Sequence, residues 1–135
     1  MILVIFGMLA AFGVIAFEQI NEKRARENVL SALRGVSPNA SVKVDGKPRQ
    51  SAQILEALRT LHQVEAHHTS PLHPLRVEIR EGGKSIDLVV AQDSERPSEY
   101  WVYRPGWNYH NDPLGEFLGR IQTDVFRDYS QPAGR

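Results

Sequence analysis

The chain has 135 residues, of which 41% are hydrophobic and 24% charged, and its 16 lysine and arginine residues balance 16 aspartate and glutamate residues. This composition is typical of one globular domain and excludes a largely disordered chain. The balanced charge argues against a nucleic-acid partner, and the absence of cysteine excludes disulfides, thiolate metal sites and cysteine nucleophiles.

Residues 1–17 form an apolar run that no charged side chain interrupts. A helix of this length spans about 25 Å, which is close to the lower limit for crossing a bilayer. The run therefore predicts a single-pass transmembrane anchor in contact with the lipid bilayer. The large apolar residues of this anchor are Ile2, Leu3, Val4, Ile5, Phe6, Leu9, Phe12, Val14, Ile15 and Phe17.

An alternative for the same run is a cleaved signal peptide, which would release the rest of the chain as a secreted domain. Val14 and Ala16 have the spacing of the small residues that precede a cleavage site. For a retained anchor, Lys23, Arg24 and Arg26 follow the run, so the positive-inside rule favours a cytoplasmic domain at the bacterial inner membrane. A periplasmic domain stays open.

Residues 18–35 predict a helical stalk, because Val29 and Leu33 belong to a partial apolar stripe that ends before Gly35. A compact domain then occupies residues 36–129. The tail, residues 130–135, is predicted to be loose.

Alternation and helical spacing predict the order β-α-β-β-β-α within the domain. Gly82-Gly83 predicts a hairpin turn between two of the strands. The predicted fold class is α+β: an N-terminal transmembrane helix, then an antiparallel meander with helices packed on one face. The predicted elements are a strand over 41–44, a helix over 51–63, strands over 75–81, 84–91 and 99–104, and a helix over 112–129.

Histidines concentrate between residues 62 and 73. Imidazole is a common metal ligand, so His67, His68 and His73 are candidates for a metal site. Their spacing matches no standard metal motif, and adjacent histidines diverge on a regular element. The alternative is an ordered loop whose imidazoles cap the preceding helix or bond to the backbone.

Aromatic residues concentrate around the last predicted strand. Alternation sends Tyr100 to one face of that strand and Trp101 and Tyr103 to the other. One face belongs to the core, and the other is either covered by the C-terminal part of the chain or exposed as a binding strip. The candidate binding residues are Trp101, Tyr103, Trp107 and Tyr109.

No motif predicts catalysis, and no cofactor is indicated. The carboxylates Asp93, Glu95 and Glu99 fall in a polar connection, which predicts a solvated turn. The first functional hypothesis is a membrane-tethered protein-interaction or accessory module with another protein as its partner, in an oligomeric state that stays open. The alternatives are a small histidine-dependent metal-binding protein or enzyme and a secreted domain.

Several short stretches resemble a pattern found in uncharacterised small single-span inner-membrane proteins of Gram-negative bacteria. The resemblance covers most of the domain and implies an inner-membrane setting, but it carries no known activity. The stretches are Val44-Asp45-Gly46, Ala66-His67-His68-Thr69-Ser70-Pro71, Asp93-Ser94, Tyr100-Trp101-Val102-Tyr103 and Gly119-Arg120-Ile121-Gln122-Thr123-Asp124-Val125-Phe126.

Overall fold

The structure, a computed structural model, describes residues 19–64, 68–106 and 114–130. Six strands form one antiparallel sheet in the order β2-β1-β3-β4-β5-β6, and three helical segments accompany it. The elements are α1 (residues 19–34), β1 (Ser41–Val44), β2 (Lys47–Arg49), α2 (Ser51–Leu58), β3 (Pro71–Glu81), β4 (Lys84–Asp93), β5 (Glu99–Arg104), β6 (Glu116–Gln122) and α3 (Arg127–Ser130).

The core lies between one face of the sheet, here called the front face, and helices α1 and α2. Alternate strand residues and the apolar stripes of both helices join one buried cluster, as the alternation predicts. The opposite face is here called the back face. The buried front cluster includes Val29, Leu33, Ile54, Leu55, Leu58, Val42, Val44, Val77, Ile79, Leu88, Val90, Tyr100, Val102, Leu118, Ile121 and Phe126.

Helix α1 is part of this core, whereas the sequence predicts a stalk that stands apart from the domain. Leu33 is fully buried, and Val29 is 6% exposed. At the end of the helix, the Arg59 guanidinium donates hydrogen bonds to the carbonyl oxygens of Leu33 (3.0 and 3.1 Å) and Val36 (2.6 Å). A cation at a helix C-terminus satisfies the last carbonyls and complements the helix dipole, so Arg59 fixes α1 to the domain.

A short hairpin, β1–β2, was only half predicted. The sequence predicts β1 but no strand between it and the helix over 51–63. In the structure a turn of only two residues follows β1, Asp45 and Gly46, with φ of 49° and 78°. These positive φ values are what a two-residue hairpin requires, and Asp-Gly is a favoured pair for it. Residues 47–49 therefore return as β2 and pair with β1.

The C-terminal part differs most from the prediction, because the helix predicted over 112–129 is wrong. Strand β6 and the four-residue α3 occupy this region. Phe117, Leu118 and Ile121 fit a helical stripe, but Gly119 has a φ of 148°, which no helix contains. Pairing with β5 decides the outcome, with Ile121 opposite Tyr100.

The predicted fold class is therefore wrong in its element order, although the α+β character and the antiparallel β3-β4-β5 meander are present. The transmembrane helix of that prediction has no counterpart among the described residues. Within residues 19–64, 68–106 and 114–130, no helix has the length and apolar character needed to cross a bilayer. The run predicted as the anchor, residues 1–17, lies outside the described residues, and so does the predicted tail from residue 131 onward.

Candidate functional site

Asp93, at the end of β4, is the centre of the most densely bonded polar group among the described residues. It is 3% exposed, and four groups donate hydrogen bonds to its carboxylate. The Thr69 hydroxyl (2.6 Å) and the Trp101 indole N–H (2.9 Å) donate to Oδ2. The backbone N–H groups of Glu95 and Arg96 donate to Oδ1, both at 2.9 Å. Asp93 thereby fixes the β4–β5 turn and joins Thr69 to Trp101.

The hydrogen bonds keep this buried carboxylate charged. Burial by itself raises the pKa of Asp93, because a carboxylate loses its hydration. The four donors outweigh that effect and lower the pKa from 3.8 to about 2. The solvated turn predicted for these carboxylates is therefore wrong for Asp93.

An ion pair on the neighbouring strands extends the group. Arg120 of β6 donates to the Glu99 carboxylate of β5 at 2.8 Å, and its Nη1 lies 3.9 Å from Asp93 Oδ2. Both Glu99 and Arg120 are nearly inaccessible, with 3% and 4% exposure. Arg96 reaches the second Glu99 oxygen at 3.3 Å. Each carboxylate therefore has cationic or hydrogen-bonding partners, and neither is placed as a general base.

Trp101 connects this buried group to the surface. The guanidinium carbon of Arg120 lies 4.2 Å from the centre of the indole ring, a cation–π contact. Phe117 of β6 lies on the same face, with its ring centre 5.7 Å from that of Trp101. Both aromatic side chains are half-buried. We call Asp93, Glu99, Trp101 and Arg120 the Asp93 cluster.

The four aromatic residues predicted to form a binding strip do not all lie within the described part of the chain. Trp101 and Tyr103 do lie on the face opposite Tyr100, as the alternation predicts, and Tyr103 is 6% exposed beside Phe117. Trp107 and Tyr109 lie outside the described residues. Phe117 was missed, because its stretch was assigned to a helix. Gly115 and Gly119, which disfavour the interior of a helix, are the signal that could have argued against that helix.

The accessible part of this region forms a continuous patch. Ser70 and Ser94 are exposed, and the backbone N–H of Ser70 donates to the Ser94 hydroxyl at 2.9 Å. Thr69 precedes them and contacts Asp93. We call Thr69, Ser70, Ser94, Trp101 and Phe117 the Trp101 surface.

The histidines do not form a metal centre in the part of the chain that the structure describes. His68 and His73 are both exposed, and His67 lies outside that part. No group of three or more potential metal ligands occurs among the described residues. The metal site stays a prediction.

His62 instead has a backbone role at the outer edge of β6. It forms an isolated bridge with Arg120, whose two backbone hydrogen bonds measure 2.9 and 3.1 Å. Arg26 of α1 also donates to the Leu118 carbonyl at 3.0 Å. This edge of the sheet is therefore largely occupied by the chain itself.

The other sheet edge, β2, consists of Lys47, Pro48 and Arg49, all exposed. Charged residues and proline disfavour pairing with a further strand. Together with the occupied β6 edge, this composition makes both edges of the sheet unfavourable for pairing with a further strand.

Comparisons with protein-family models, curated proteins and solved structures find no match. The resemblance to small inner-membrane proteins consequently stays a prediction.

Proposed function

We propose that this chain is a protein-interaction module that binds a partner protein with the Trp101 surface. One observation carries the proposal: the Asp93 carboxylate accepts hydrogen bonds from both Thr69 and Trp101. Two segments that are distant in sequence, the loop before β3 and the aromatic strand β5, are thus held together at one place.

The chemistry of the surface supports protein binding over catalysis. Half-exposed tryptophan and phenylalanine provide apolar area with few rotatable bonds, and aromatic residues are enriched in interfaces. The exposed serines add hydrogen-bonding groups at the rim. Beneath them, hydrogen bonds hold the carboxylates of Asp93 and Glu99 in place, so these buried charges position the surface.

The rigidity of the Asp93 cluster also favours binding. A side chain that is already fixed loses less conformational entropy on association. Trp101 is fixed at two points, by its indole hydrogen bond to Asp93 and by the stacked Arg120. The surface is therefore arranged before a partner arrives.

Co-purification with the tagged full chain tests the proposal. Two variants change the surface: Phe117→Ala removes half-exposed aromatic area, and Ser70→Lys adds bulk at an exposed position. Ile20→Ser is the matched control, because Ile20 is the most exposed large hydrophobic residue of the described part, at 56%, and lies on α1. Thermal unfolding of each variant shows that it is folded.

We expect at least one partner, identified by mass spectrometry, to be lost with both surface variants and retained with Ile20→Ser. If all three variants retain the same partners while remaining folded, the Trp101 surface is not the binding site. If only Phe117→Ala loses partners and that variant is unfolded, Ser70→Lys decides the result, because this exposed position does not belong to the core.

A further inference from the structure

We infer that the exposed side of helix α1 lies on a lipid surface that contains anionic phospholipids. This site is separate from the Trp101 surface and does not depend on the proposed function. One side of α1 is buried in the core through Ala25, Val29 and Leu33. The opposite side is exposed, and its residues recur every three or four positions, as one side of a helix requires. We call this side the α1 face; its residues are Ile20, Lys23, Arg24, Glu27, Ser31 and Arg34.

The α1 face carries an excess of positive charge, although the whole chain is neutral. Lys23, Arg24 and Arg34 oppose a single acid, Glu27. Glu27 lies 3.9 Å from Lys23, and both side chains are more exposed than buried, so this ion pair is weak and does not prevent Lys23 from binding another anion. Arg24 and Arg34 form no ion pair with a carboxylate of the described residues. Basic residues of this kind are attracted to the phosphate groups of an anionic lipid surface.

Arg26 has a different role, although it belongs to the same basic stretch of the sequence. It is 8% exposed, and its guanidinium donates hydrogen bonds to the Leu118 carbonyl at 3.0 Å and to Glu22 at 3.4 Å. This contact attaches the first described turns of α1 to β6. The exposed cations Lys23 and Arg24 therefore have fixed positions relative to the sheet, and a lipid surface that binds them orients the whole domain.

An exposed apolar side chain lies beside these cations. Ile20 is 56% exposed, more than any other large hydrophobic residue that the structure describes, and it precedes Lys23 and Arg24 by about one helical turn. In the sequence, the uncharged apolar run of residues 1–17 ends three positions before Ile20. Three residues span at most about 10 Å, so a surface that accepts this run lies close to Ile20.

Lipid fits this combination better than a soluble acidic partner does. A bilayer surface offers apolar chains to the run of residues 1–17 and to Ile20, and it offers phosphate groups to Lys23 and Arg24. An acidic protein or a free anion would provide only the second kind of contact. Contact with the headgroup layer requires no helix that crosses the bilayer.

Fluorescence of the full chain on vesicles tests the inference. The chain has no cysteine, so Asn21→Cys, next to Ile20, accepts a single environment-sensitive nitrobenzoxadiazole label. Ser85→Cys is the matched control, because this position is also exposed and lines the same groove as Gly35, past the opposite end of α1. Each labelled chain is titrated with vesicles of phosphatidylcholine alone and with vesicles of phosphatidylcholine and phosphatidylglycerol in a three-to-one ratio.

Two pairs of substitutions, each made in the chain labelled at position 21, identify the residues that contact the lipid. Lys23→Gln with Arg24→Gln removes the cations beside Ile20. Lys43→Gln with Lys47→Gln is the matched control, because it removes two exposed cations from β1 and β2. All substituted positions are exposed, and thermal unfolding shows that each variant is folded.

We expect the label at position 21 to shift to shorter wavelength on the mixed vesicles, with an apparent dissociation constant about tenfold or more below that for phosphatidylcholine alone. The label at position 85 should not shift. Lys23→Gln with Arg24→Gln should abolish most of the preference for the mixed vesicles, and the control pair should keep it.

Three results would overturn the inference. The first is a label at position 21 that fails to shift or that responds equally to both kinds of vesicle. The second is a preference that Lys23→Gln with Arg24→Gln leaves intact, or that both pairs of substitutions weaken equally. The third is an equal shift at position 85, because the α1 face would then not be the part of the domain that meets the lipid. None of these results affects the Trp101 surface, which the co-purification experiment tests separately.

Discussion

Asp93 stays ionised in a buried position because it receives four hydrogen bonds. A neutral amide in its place keeps the shape but removes the charge and turns one acceptor into a donor. Removing one member of a buried charge network leaves the others uncompensated. The cost of such a change therefore measures how firmly the Asp93 cluster holds the Trp101 surface.

For Asp93→Asn we predict a loss of about 2 kcal/mol or more in the free energy of unfolding, measured with urea. The control is Asp124→Asn, because Asp124 also accepts from an arginine and a serine but its side chain is 68% exposed. That control should lose less than about 1 kcal/mol. Equal losses for the two variants would show that the Asp93 cluster does not stabilise the fold.

The pKa of Asp93 predicts how stability depends on acid. Its pKa is about 2 in the folded state and 3.8 ordinarily, so the unfolded chain binds the proton more tightly. The stabilisation is therefore fully present above pH 4 and is lost as the pH falls from about 4 to about 2; it amounts to about 2 kcal/mol. Urea unfolding across this range should show the decline, and Asp93→Asn should reduce it. An unchanged slope in the variant would contradict the lowered pKa.

The residues of strand β5 and the Asp93 cluster show which side-chain positions can be predicted from the sequence and which cannot. Tyr100, Trp101 and Tyr103 were correctly assigned to opposite faces, because alternation follows from strand geometry alone. For Asp93 and Glu99 the sequence predicts a solvated turn, because their partners Thr69 and Arg120 are distant in the chain. A buried charge is visible only when the tertiary contacts that compensate it are known.

At the scale of the elements, β6 shows how pairing overrides local preference. A Cβ atom built on Gly119 would lie 2.5 Å from the His62 carbonyl oxygen, and the φ of Gly119 is 148°. Only glycine allows His62 to reach the β6 edge there. The hairpin at Gly82-Gly83 is predictable because two adjacent glycines indicate the turn. Strand β6 is not, because its formation depends on pairing with β5 and His62, which are distant in the chain.

We predict that Gly119→Ala costs about 2 kcal/mol or more, since it combines a strained φ with a backbone clash. Gly83→Ala is the control, because a Cβ at Gly83 meets nothing within 4 Å. That control should change stability by less than about 0.5 kcal/mol. Urea unfolding of both variants provides the comparison, and a mild effect of Gly119→Ala would show that His62 does not close this edge.

Helix α1 gives a second prediction at this scale. Leu33 is fully buried in the front cluster, so Leu33→Ala should lower the free energy of unfolding by about 3 kcal/mol. Leu30 packs only partly against the same cluster, and Leu30→Ala should cost about 1 kcal/mol. A separate stalk would give a negligible cost at both positions. Thermal or urea unfolding distinguishes the two arrangements.

At the scale of the whole molecule, the two faces of the sheet have different roles. The front face and both longer helices form the core, and their apolar stripes were recognisable in the sequence. The back face combines a buried ionic cluster, half-exposed aromatics and paired charges. Alternation identifies which strand residues lie on this face, but the contacts that bury Asp93, Glu99 and Arg120 join segments distant in the chain. The sequence therefore indicates an aromatic strip but not its boundaries or the buried ion pair beneath it.

The most direct test of the binding surface is photocrosslinking in living cells from the full chain. A benzophenone amino acid replaces Phe117 on the Trp101 surface or, as the control, Tyr129, a half-buried aromatic residue on the front side of the sheet. We predict a discrete adduct from position 117 with a partner protein, and none from position 129. No adduct from position 117, or the same adducts from both positions, would contradict the proposal.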